Sequence, residues 1–282
     1  MTEHSPVSLP AISILGVGSM GRAILSGLLA PGVEVDGPIR VTNRSAASAA
    51  KLPDDDRLVS LLTESDENAN SAAVKGAAIV LVAVKPAMVP DLLDEIADAL
   101  APGTVVVSVA AGVSIATFEK HLPEGVSVIR SMPNTPATVG RAVTGVSAGT
   151  RSTPEQLETV RRLFETVGEV LEVSESQLDA LSTISGSGPA YVYLLIEALT
   201  TAAVEKGFSA DEAALLVNGT FIGATELLRQ SGKTPEELRI QVTSPKGTTE
   251  RAIAVLQDAR LDTLFTAATD AALARARELA AG

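Results

Sequence analysis

Three glycines near the amino terminus have the spacing of a turn that binds a dinucleotide. Gly16, Gly18 and Gly21 form the pattern G-x-G-x-x-G, with an apolar run before it and apolar residues at helical spacing after it. In such a turn the first glycine allows a sharp bend, the second lets the backbone approach a pyrophosphate, and the third lets the helix pack close to the strand. The N-terminus of that helix offers free N–H groups to the anion. The alternative is a strand–turn–helix unit that binds nothing, and the flanking pattern favours the dinucleotide.

The residues after the next predicted strand indicate which dinucleotide is bound. Folds that prefer NAD place an acidic residue about 20 positions beyond the glycines, where it accepts a hydrogen bond from the ribose 2′-hydroxyl. This chain has Asn43, Arg44 and Ser45 in that region instead. Because a guanidinium can hold a 2′-phosphate in bidentate fashion, these residues favour NADP(H). The alternative is that Arg44 is an ordinary solvated loop residue.

Two further segments follow predicted strands that are buried on both faces. Lys85 and Pro86 follow the apolar run 78–84, and the small residues 110–113 follow the run 104–109. Ligands of open α/β sheets bind beyond the carboxyl ends of the strands. The small residues would let the backbone approach a flat ring at that edge.

A pair of prolines restrains the loop after another predicted strand. Pro133 and Pro136 enclose Asn134. We predict a rigid, non-helical loop here, because proline fixes its own φ and restricts the residue before it. A rigid loop beside a cleft is what a binding site requires, and the alternative is a purely structural turn.

Two clusters of small hydroxyl residues lie in the second half of the chain. Residues 185–191 and 242–249 place serine and threonine beside glycine or proline, just ahead of helical sequence. A turn that opens a helix offers backbone N–H groups to a carboxylate, and the hydroxyls add uncharged donors. Helix capping explains single hydroxyl residues well, but it explains the cluster S-P-x-G-T-T less well.

The elements that must position these residues differ between the two halves of the chain. Alternating strands and helices predict an α/β Rossmann-like domain with a doubly wound, mostly parallel sheet. We place this domain at residues 1–174, of which about the first ten are predicted to be a flexible lead-in. Residues 175–282 are predicted to form an all-α domain, in which Ser174, Ser209 and Thr234 begin capping boxes. Helices that are apolar on several sides predict a dimer made through this domain.

The composition excludes several classes of function. The chain has 282 residues, a net charge of −12 and only 2% aromatic residues, which argue against a nucleic-acid partner. It has no cysteine, which excludes thiolate chemistry, and we expect no metal site. Two histidines leave little capacity for acid–base catalysis by imidazole. The polar start lacks the pattern of a signal peptide and no apolar run would span a membrane, so we expect a cytoplasmic protein.

Six motifs, in order along nearly the whole chain, resemble those of the pyrroline-5-carboxylate reductase family. They are GVGSMG at residues 16–21, AVKP at 83–86, AAGV at 110–113, MPNTP at 132–136, SGSGPAY at 185–191 and TSPKGTT at 243–249. The resemblance implies hydride transfer from NADPH, or from NADH in its place, to the C=N bond of 1-pyrroline-5-carboxylate. The product would be L-proline, in the last step of proline biosynthesis. The resemblance also implies a homodimer through the helical domain, and a homodecamer of five such dimers as a larger assembly.

Together with the residues derived above, the resemblance assigns two sets of site residues. The cofactor set is Leu15, Gly16, Val17, Gly18, Ser19, Met20, Gly21, Asn43, Arg44, Ser45, Asn70, Ala83, Val84, Lys85, Pro86, Val109, Ala110, Ala111 and Asn134. The substrate set is Glu175, Ser187, Gln241, Ser244, Gly247, Thr248 and Thr249. In this assignment the loop backbone and hydroxyls hold the substrate carboxylate. Thr249 is the catalytic residue and hydrogen-bonds the ring nitrogen.

The chain departs from the family pattern in the last motif. Where the family usually has Ser-Pro-Gly-Gly, Lys246 replaces the first glycine. If this position needs a positive φ, a lysine is strained there. The alternative is that Lys246 adds positive charge near the substrate carboxylate.

Two other functions are compatible with the sequence. One is another NADPH-dependent imine or keto-acid reductase of the same two-domain plan. Hydroxyacid relatives carry a catalytic lysine in the helical domain, for which Lys206 and Lys233 are candidates besides Lys246, although neither lies in a motif. The other is a non-enzymatic NADP sensor whose helical half binds a partner protein.

Overall fold

The chain divides into two compact units. The computed structural model describes residues 7–281, with side chains up to residue 278. The first unit runs to Ser187 and includes the chain from Leu273 onward, and the second unit is Gly188–Ala272. The first six residues of the predicted lead-in lie outside the described part of the chain.

The first unit is built on a large, mostly parallel sheet. Its strands are β1 Val7–Leu9, β2 Ile12–Leu15, β3 Val33–Val35, β4 Ile39–Asn43, β5 Leu58–Leu62, β6 Ile79–Val82, β7 Val105–Ser108, β8 Ser127–Met132, β9 Ala142–Ala148 and β10 Gly168–Glu172. Eight of them form one sheet in the order β10-β9-β8-β7-β6-β2-β4-β5. Neighbours in that sheet are parallel, except for the antiparallel pair β8 and β9. This order confirms the predicted doubly wound α/β fold.

A small second sheet corrects the prediction of a flexible lead-in. Val7–Leu9 pairs in parallel with Val33–Val35, so an ordered strand precedes the glycine turn. The pairing is anchored at both ends, because Val7 N–H donates to the Gly32 carbonyl and Asp36 N–H donates to the Leu9 carbonyl, both at 2.9 Å.

Helices cover both faces of the large sheet. They are α1 Ser19–Leu28, α2 Ala46–Ala49, α3 Ala69–Val74, α4 Val89–Ile96, α5 Ile115–His121, α6 Pro154–Glu165 and α7 Glu175–Leu181. One core lies between the sheet and α1 and α6, and the other lies between the sheet and α3, α4 and α5. The central strands β2, β6 and β7 are buried along their whole length, which explains their unbroken apolar or small-residue sequences.

The segment after Asn134 is helical, so the prediction of a non-helical loop was wrong from Thr135 onward, whereas Asn134 itself is extended. Thr135–Val139 forms a turn of 3₁₀ helix with proline in its first turn. Proline is tolerated there because the first N–H groups of a helix have no partner within the helix. The segment ends at Gly140, which has a left-handed φ of 67°.

Helix α7 belongs to the first unit by its contacts. A Cβ on Gly145 of β9 would lie 2.6 Å from Leu181 and 2.9 Å from Leu178, both on α7. This close packing explains why the first compact unit extends to Ser187. The domain boundary at residue 174 stays a prediction.

The second unit is entirely helical among its described residues. It contains α8 Gly188–Glu205, α9 Ala210–Ser231, α10 Pro235–Gln241, α11 Thr248–Asp258 and the start of α12 Leu261–Ala281. The predicted capping boxes at Ser174, Ser209 and Thr234 are all confirmed. None of the helices within residues 7–281 combines the length and the apolar character needed to cross a membrane.

Candidate functional site

The glycine turn is held tightly between the sheet and α1. Gly16 has a left-handed φ of 84°, and a Cβ there would lie 2.6 Å from Val84 Cγ1 at the end of β6. A Cβ on Gly21 would lie 3.1 Å from the Gly16 carbonyl oxygen. Gly16 therefore requires glycine for the sharp bend, and the close helix contact that the sequence predicts leaves little room for a side chain at Gly21.

The middle glycine of the turn faces open space. A Cβ on Gly18 would have no neighbouring atom within 4 Å, although its φ of −77° suits any residue. Gly18 is the N-cap of α1, and the first turn of that helix has no acidic residue. The residues present therefore fit a pyrophosphate, which needs both free N–H groups and room for close approach.

Thr42 connects the glycine turn to β4, a contact that the sequence reasoning missed. Its hydroxyl oxygen accepts from Gly16 N–H at 3.1 Å, and its carbonyl accepts from Val17 N–H at 3.1 Å. The side chain is only 1% exposed. The sequence gives little signal for this contact, because Arg40 and Asn43 are polar residues of the same strand.

The three residues at the end of β4 differ in what they offer a ligand. Arg44 is exposed, as a residue that binds a 2′-phosphate must be. Asn43 is buried and its side-chain amide donates to Ser60 Oγ at 3.2 Å. The Ser45 and Ser48 hydroxyls lie 3.3 Å apart. Of the three, Arg44 is the residue best placed to contact a ligand directly.

The other predicted residues of this edge follow β6 or lie on α3. Lys85 is exposed and precedes a turn of 3₁₀ helix at Pro86–Met88, while Ala83 and Val84 are half-buried. Asn70 is half-buried on α3 and its amide donates to Glu95 Oε2 at 3.1 Å.

The small-residue turn after β7 is fixed by hydroxyl groups beneath it. Ala110 N–H donates to Ser108 Oγ at 3.2 Å, and Ser131 Oγ donates to the Ser108 carbonyl at 2.7 Å. Ala111 is exposed and Val109 is half-buried. The turn thus presents backbone and methyl groups on a rigid base, which suits contact with a flat ring.

The side chain of Asn134 is engaged with the protein backbone. Its Nδ2 donates to the Ser185 carbonyl and its Oδ1 accepts from Val143 N–H, both at 2.9 Å, and the residue is 8% exposed. The amide therefore ties the 3₁₀ segment both to β9 and to the turn before Ser187.

A buried arginine organises the carboxylates at the start of α7. Arg130 donates to Glu175 Oε1 at 3.3 Å and to Asp179 Oδ1 at 2.8 Å. Glu175 Oε1 also accepts from Ile115 N–H at 2.7 Å, at the first turn of α5. Arg130 and Asp179 were not predicted. No sequence pattern marks them, because they meet only through the packing of α7 on β8.

In the second unit, the hydroxyl cluster forms a turn that opens α11. Gly247 N–H donates to the Ser244 carbonyl at 3.0 Å, and Thr248 and Thr249 are the first two residues of the helix. Lys246 has a left-handed φ of 60°, and its backbone N–H donates to Glu250 Oε2 at 3.0 Å.

The remaining predicted substrate residues lie at two other points of the chain. Gln241 is the exposed last residue of α10, six positions ahead of Gly247. Ser187 belongs to the first unit, where it follows a turn of π-helix at Ser182–Gly186 and donates its N–H to the Ser182 carbonyl at 2.8 Å. The substrate residues Glu175 and Ser187 are thus in one unit and the 241–249 group is in the other.

Family models match both halves of the chain. A model described as "Pyrroline-5-carboxylate reductase dimerisation" matches residues 175–279. A model described as "NADP oxidoreductase coenzyme F420-dependent" matches residues 11–112.

Curated relatives are similar over nearly the full length. A "Pyrroline-5-carboxylate reductase" of Corynebacterium melassecola is 40% identical over 274 residues, covering 96% of this chain and 99% of its own. One of Pseudomonas aeruginosa is 37% identical, covering 97% of this chain and 98% of its own.

Solved structures share the fold. A pyrroline-5-carboxylate reductase from Coxiella burnetii has a TM-score of 0.86 at 34% identity, covering 95% of this chain and 97% of its own. A pyrroline carboxylate reductase of Plasmodium falciparum with NADP bound has a TM-score of 0.77 over 96% of this chain and 98% of its own. At 24% identity, the latter supports the fold alone.

Proposed function

The chain belongs to the pyrroline-5-carboxylate reductase family, and from that premise we infer that it is an NADP-dependent oxidoreductase. It reduces the C=N bond of 1-pyrroline-5-carboxylate to give L-proline, the last step of proline biosynthesis. The observation that carries this conclusion is the 40% identity to a curated member over 96% of the chain. The site residues and the assembly proposed below go further than this similarity.

We propose that the edge of the sheet near the glycine turn holds the cofactor. Support comes from the open space at Gly18, the N-terminus of α1 behind it, and the exposed guanidinium of Arg44. NADPH, when bound, supplies a hydride from its nicotinamide ring. The turn at Ala110 and Ala111 is proposed to support that ring. Asn43 and Asn134 are proposed to hold the neighbouring backbone in place, because their amides are hydrogen-bonded within the protein.

We propose that the turn at the start of α11 holds the substrate. The N-terminus of a helix suits a carboxylate, and Gly247 and Thr248 lie at that point of α11. The Thr249 hydroxyl is proposed to hydrogen-bond the ring nitrogen of the imine. An iminium carbon is already electrophilic, so the residues mainly need to orient the substrate. This fits a chain with only two histidines.

The exposed apolar surface of the second unit supports a homodimer. Within residues 188–272, which form the second unit, only two apolar residues are buried, Ala213 and Val217. Large apolar side chains on its helices remain exposed, among them Leu194, Leu199, Leu215, Leu216, Ile222, Leu227, Val255, Leu256 and Leu264. A soluble monomer rarely exposes so much apolar surface. The decamer of five dimers is a further proposal that rests on the family resemblance, and the cytoplasmic location also stays a proposal.

An assay of NADPH oxidation tests the reaction directly. Purified protein should oxidise NADPH when 1-pyrroline-5-carboxylate is added, and a parallel assay with NADH measures the cofactor preference. The absence of oxidation with either cofactor would refute the assignment. A panel of keto acids and other cyclic imines, assayed at fixed NADPH, shows whether the substrate is specific.

Substitution of Thr249 tests its proposed role. Loss of a hydrogen bond to a charged group costs about 1.5–3 kcal/mol, so Thr249→Val should lower kcat/KM for the imine by about 10- to 100-fold. Thr249→Ser keeps the hydroxyl and should retain most of the activity. The affinity for NADPH should be the same in all three proteins. Equal turnover in Thr249→Val and the parent would remove Thr249 from the mechanism.

A further inference from the structure

We propose that Thr42 is a positioning residue for the cofactor. Its hydroxyl holds the glycine turn in the shape that a pyrophosphate needs. The proposal rests on the proposed NADPH site. It concerns a side chain that lies beneath that site rather than in it.

The hydroxyl completes the pairing between β2 and β4 where the backbone alone cannot. Leu15 pairs with Thr42 in the parallel register. The chain then bends away at Gly16, whose φ is 84°. The Thr42 carbonyl is already used by Val17 N–H. The Gly16 N–H donates instead to the side chain of the same residue, with Thr42 Oγ1 accepting at 3.1 Å.

Val84, two residues beyond β6, limits the turn from the opposite side. A Cβ on Gly16 would lie 2.6 Å from Val84 Cγ1 and 3.2 Å from Val84 N, so the turn has no room to move toward β6. Thr42 thus holds one side of the turn and Val84 limits the other. Because Gly18 and the N-terminus of α1 directly follow this bend, its orientation determines where the N–H groups that face a pyrophosphate point.

Thr42 also lies two residues before Arg44, which directly follows β4. One strand end therefore carries both the residue that fixes the pyrophosphate turn and the residue proposed for the 2′-phosphate. Thr42 is 1% exposed, so its effect on a ligand must act through the turn and not by contact with the adenosine.

The test compares hydroxyl-bearing and hydroxyl-free residues at position 42. Thr42→Val keeps the shape and removes the hydrogen bond, and Thr42→Ser keeps the hydroxyl. A hydrogen bond contributes about 0.5–1.5 kcal/mol. The dissociation constant of NADPH, measured by fluorescence without substrate, should therefore rise about 3- to 10-fold in Thr42→Val. In Thr42→Ser it should stay within about twofold of the parent, since the acceptor is retained.

Three further readouts separate positioning from a general loss of stability. At saturating NADPH, kcat and the KM for the imine should be unchanged in Thr42→Val. The affinity for adenosine 2′-monophosphate, which has no pyrophosphate, should also be unchanged. The matched control is Thr144→Val on β9, which removes a fully buried hydroxyl that has no hydrogen-bond partner among the described residues. Its NADPH affinity should equal that of the parent.

Several results would overturn the inference. They are parent-like NADPH affinity in Thr42→Val, equal weakening in Thr42→Ser, equal weakening in Thr144→Val, or a matching loss of adenosine 2′-monophosphate affinity. If Thr42→Val does not fold, Thr42→Cys replaces it, because a thiol is a weak acceptor. Thr42→Cys must then bind NADPH more weakly than Thr42→Ser, and equal affinities refute the proposal. The titrations with NADPH and with adenosine 2′-monophosphate measure binding without turnover, so a failure of imine reduction would refute the proposed function and leave the role of Thr42 intact.

Discussion

Lys246 has a left-handed φ. We therefore expect glycine to be more stable than alanine at this position, the opposite of their order in the interior of a helix. In the turn formed by residues 244–247, Pro245 occupies the second position and Lys246 the third, with a φ of 60°. The Gly247 N–H donates to the Ser244 carbonyl at 3.0 Å and closes the turn. These are the features of a type II turn, whose third residue favours glycine.

The expected difference in the free energy of unfolding between glycine and alanine at position 246 follows from two opposing contributions. A side chain with a Cβ costs about 1–2 kcal/mol in the left-handed region. Glycine removes that strain but gives the unfolded chain more freedom, which offsets about 0.4–1 kcal/mol. Lys246→Gly should therefore be about 1 kcal/mol more stable than Lys246→Ala, which removes the same charge and keeps the strain. In a helix interior the order reverses, and glycine is about 1 kcal/mol less stable than alanine.

Urea denaturation at one fixed protein concentration provides the measurement, because assembly shifts apparent stability by mass action. The control is Ala252→Gly, at an exposed position in the interior of α11, which should lower the free energy of unfolding. If Lys246→Gly is no more stable than Lys246→Ala, the reasoning from φ is refuted.

The same pair of variants separates the two interpretations of Lys246. If the ammonium group assists binding of the substrate carboxylate, both variants should raise the KM for 1-pyrroline-5-carboxylate equally, and added salt should raise the parent's KM. If the side chain has no such role, only the stabilities should differ.

Two other predictions concern the first unit. Gly27→Ala on α1 should destabilise the protein by about 1–3 kcal/mol, because the new Cβ would overlap Val167 and lie 2.7 Å from Thr166 Oγ1. Ser26→Ala, exposed on the same helix, is the control and should change the urea midpoint little. Arg57 donates hydrogen bonds to Asp55 and lowers the pKa of that carboxyl to about 2. A carboxyl with a lowered folded-state pKa stabilises the fold above its unfolded pKa of about 4, and this contribution is lost as the pH falls toward about 2. Asp55→Asn should therefore lose less thermal stability than the parent between about pH 4 and pH 2, and parallel melting curves for the two proteins across that range would contradict this.

The parts of the fold that local sequence determines were predicted well. The strands β6 and β7 were evident because they are buried on both faces and hence almost wholly apolar, with Ser108 at the end of β7 as the exception. The capping boxes were evident because both partners lie within one helical turn of each other. The glycine turn was equally evident, since its three glycines lie within six residues of one another.

Features that depend on contacts distant in sequence were not predicted. The strand Val7–Leu9 is too short to show a pattern and is identified only by its pairing with Val33–Val35. In the same way, nothing local shows that Asn43 turns toward Ser60 or that Asn134 binds the Ser185 carbonyl. The strand pattern located these polar residues correctly, but their partners depend on which elements become neighbours in the folded sheet.

The exposed apolar helices of the second unit also affect how the enzyme is made in the cell. The α/β unit has its own buried cores on both faces of its sheet, and every residue of these cores precedes residue 188. Residues 188–272 bury only Ala213 and Val217 among their apolar side chains, so the remaining apolar side chains stay exposed until the proposed partner chain binds. A newly made chain therefore passes through a period in which it is vulnerable to aggregation and proteolysis. The length of that period falls as the local concentration of identical chains rises.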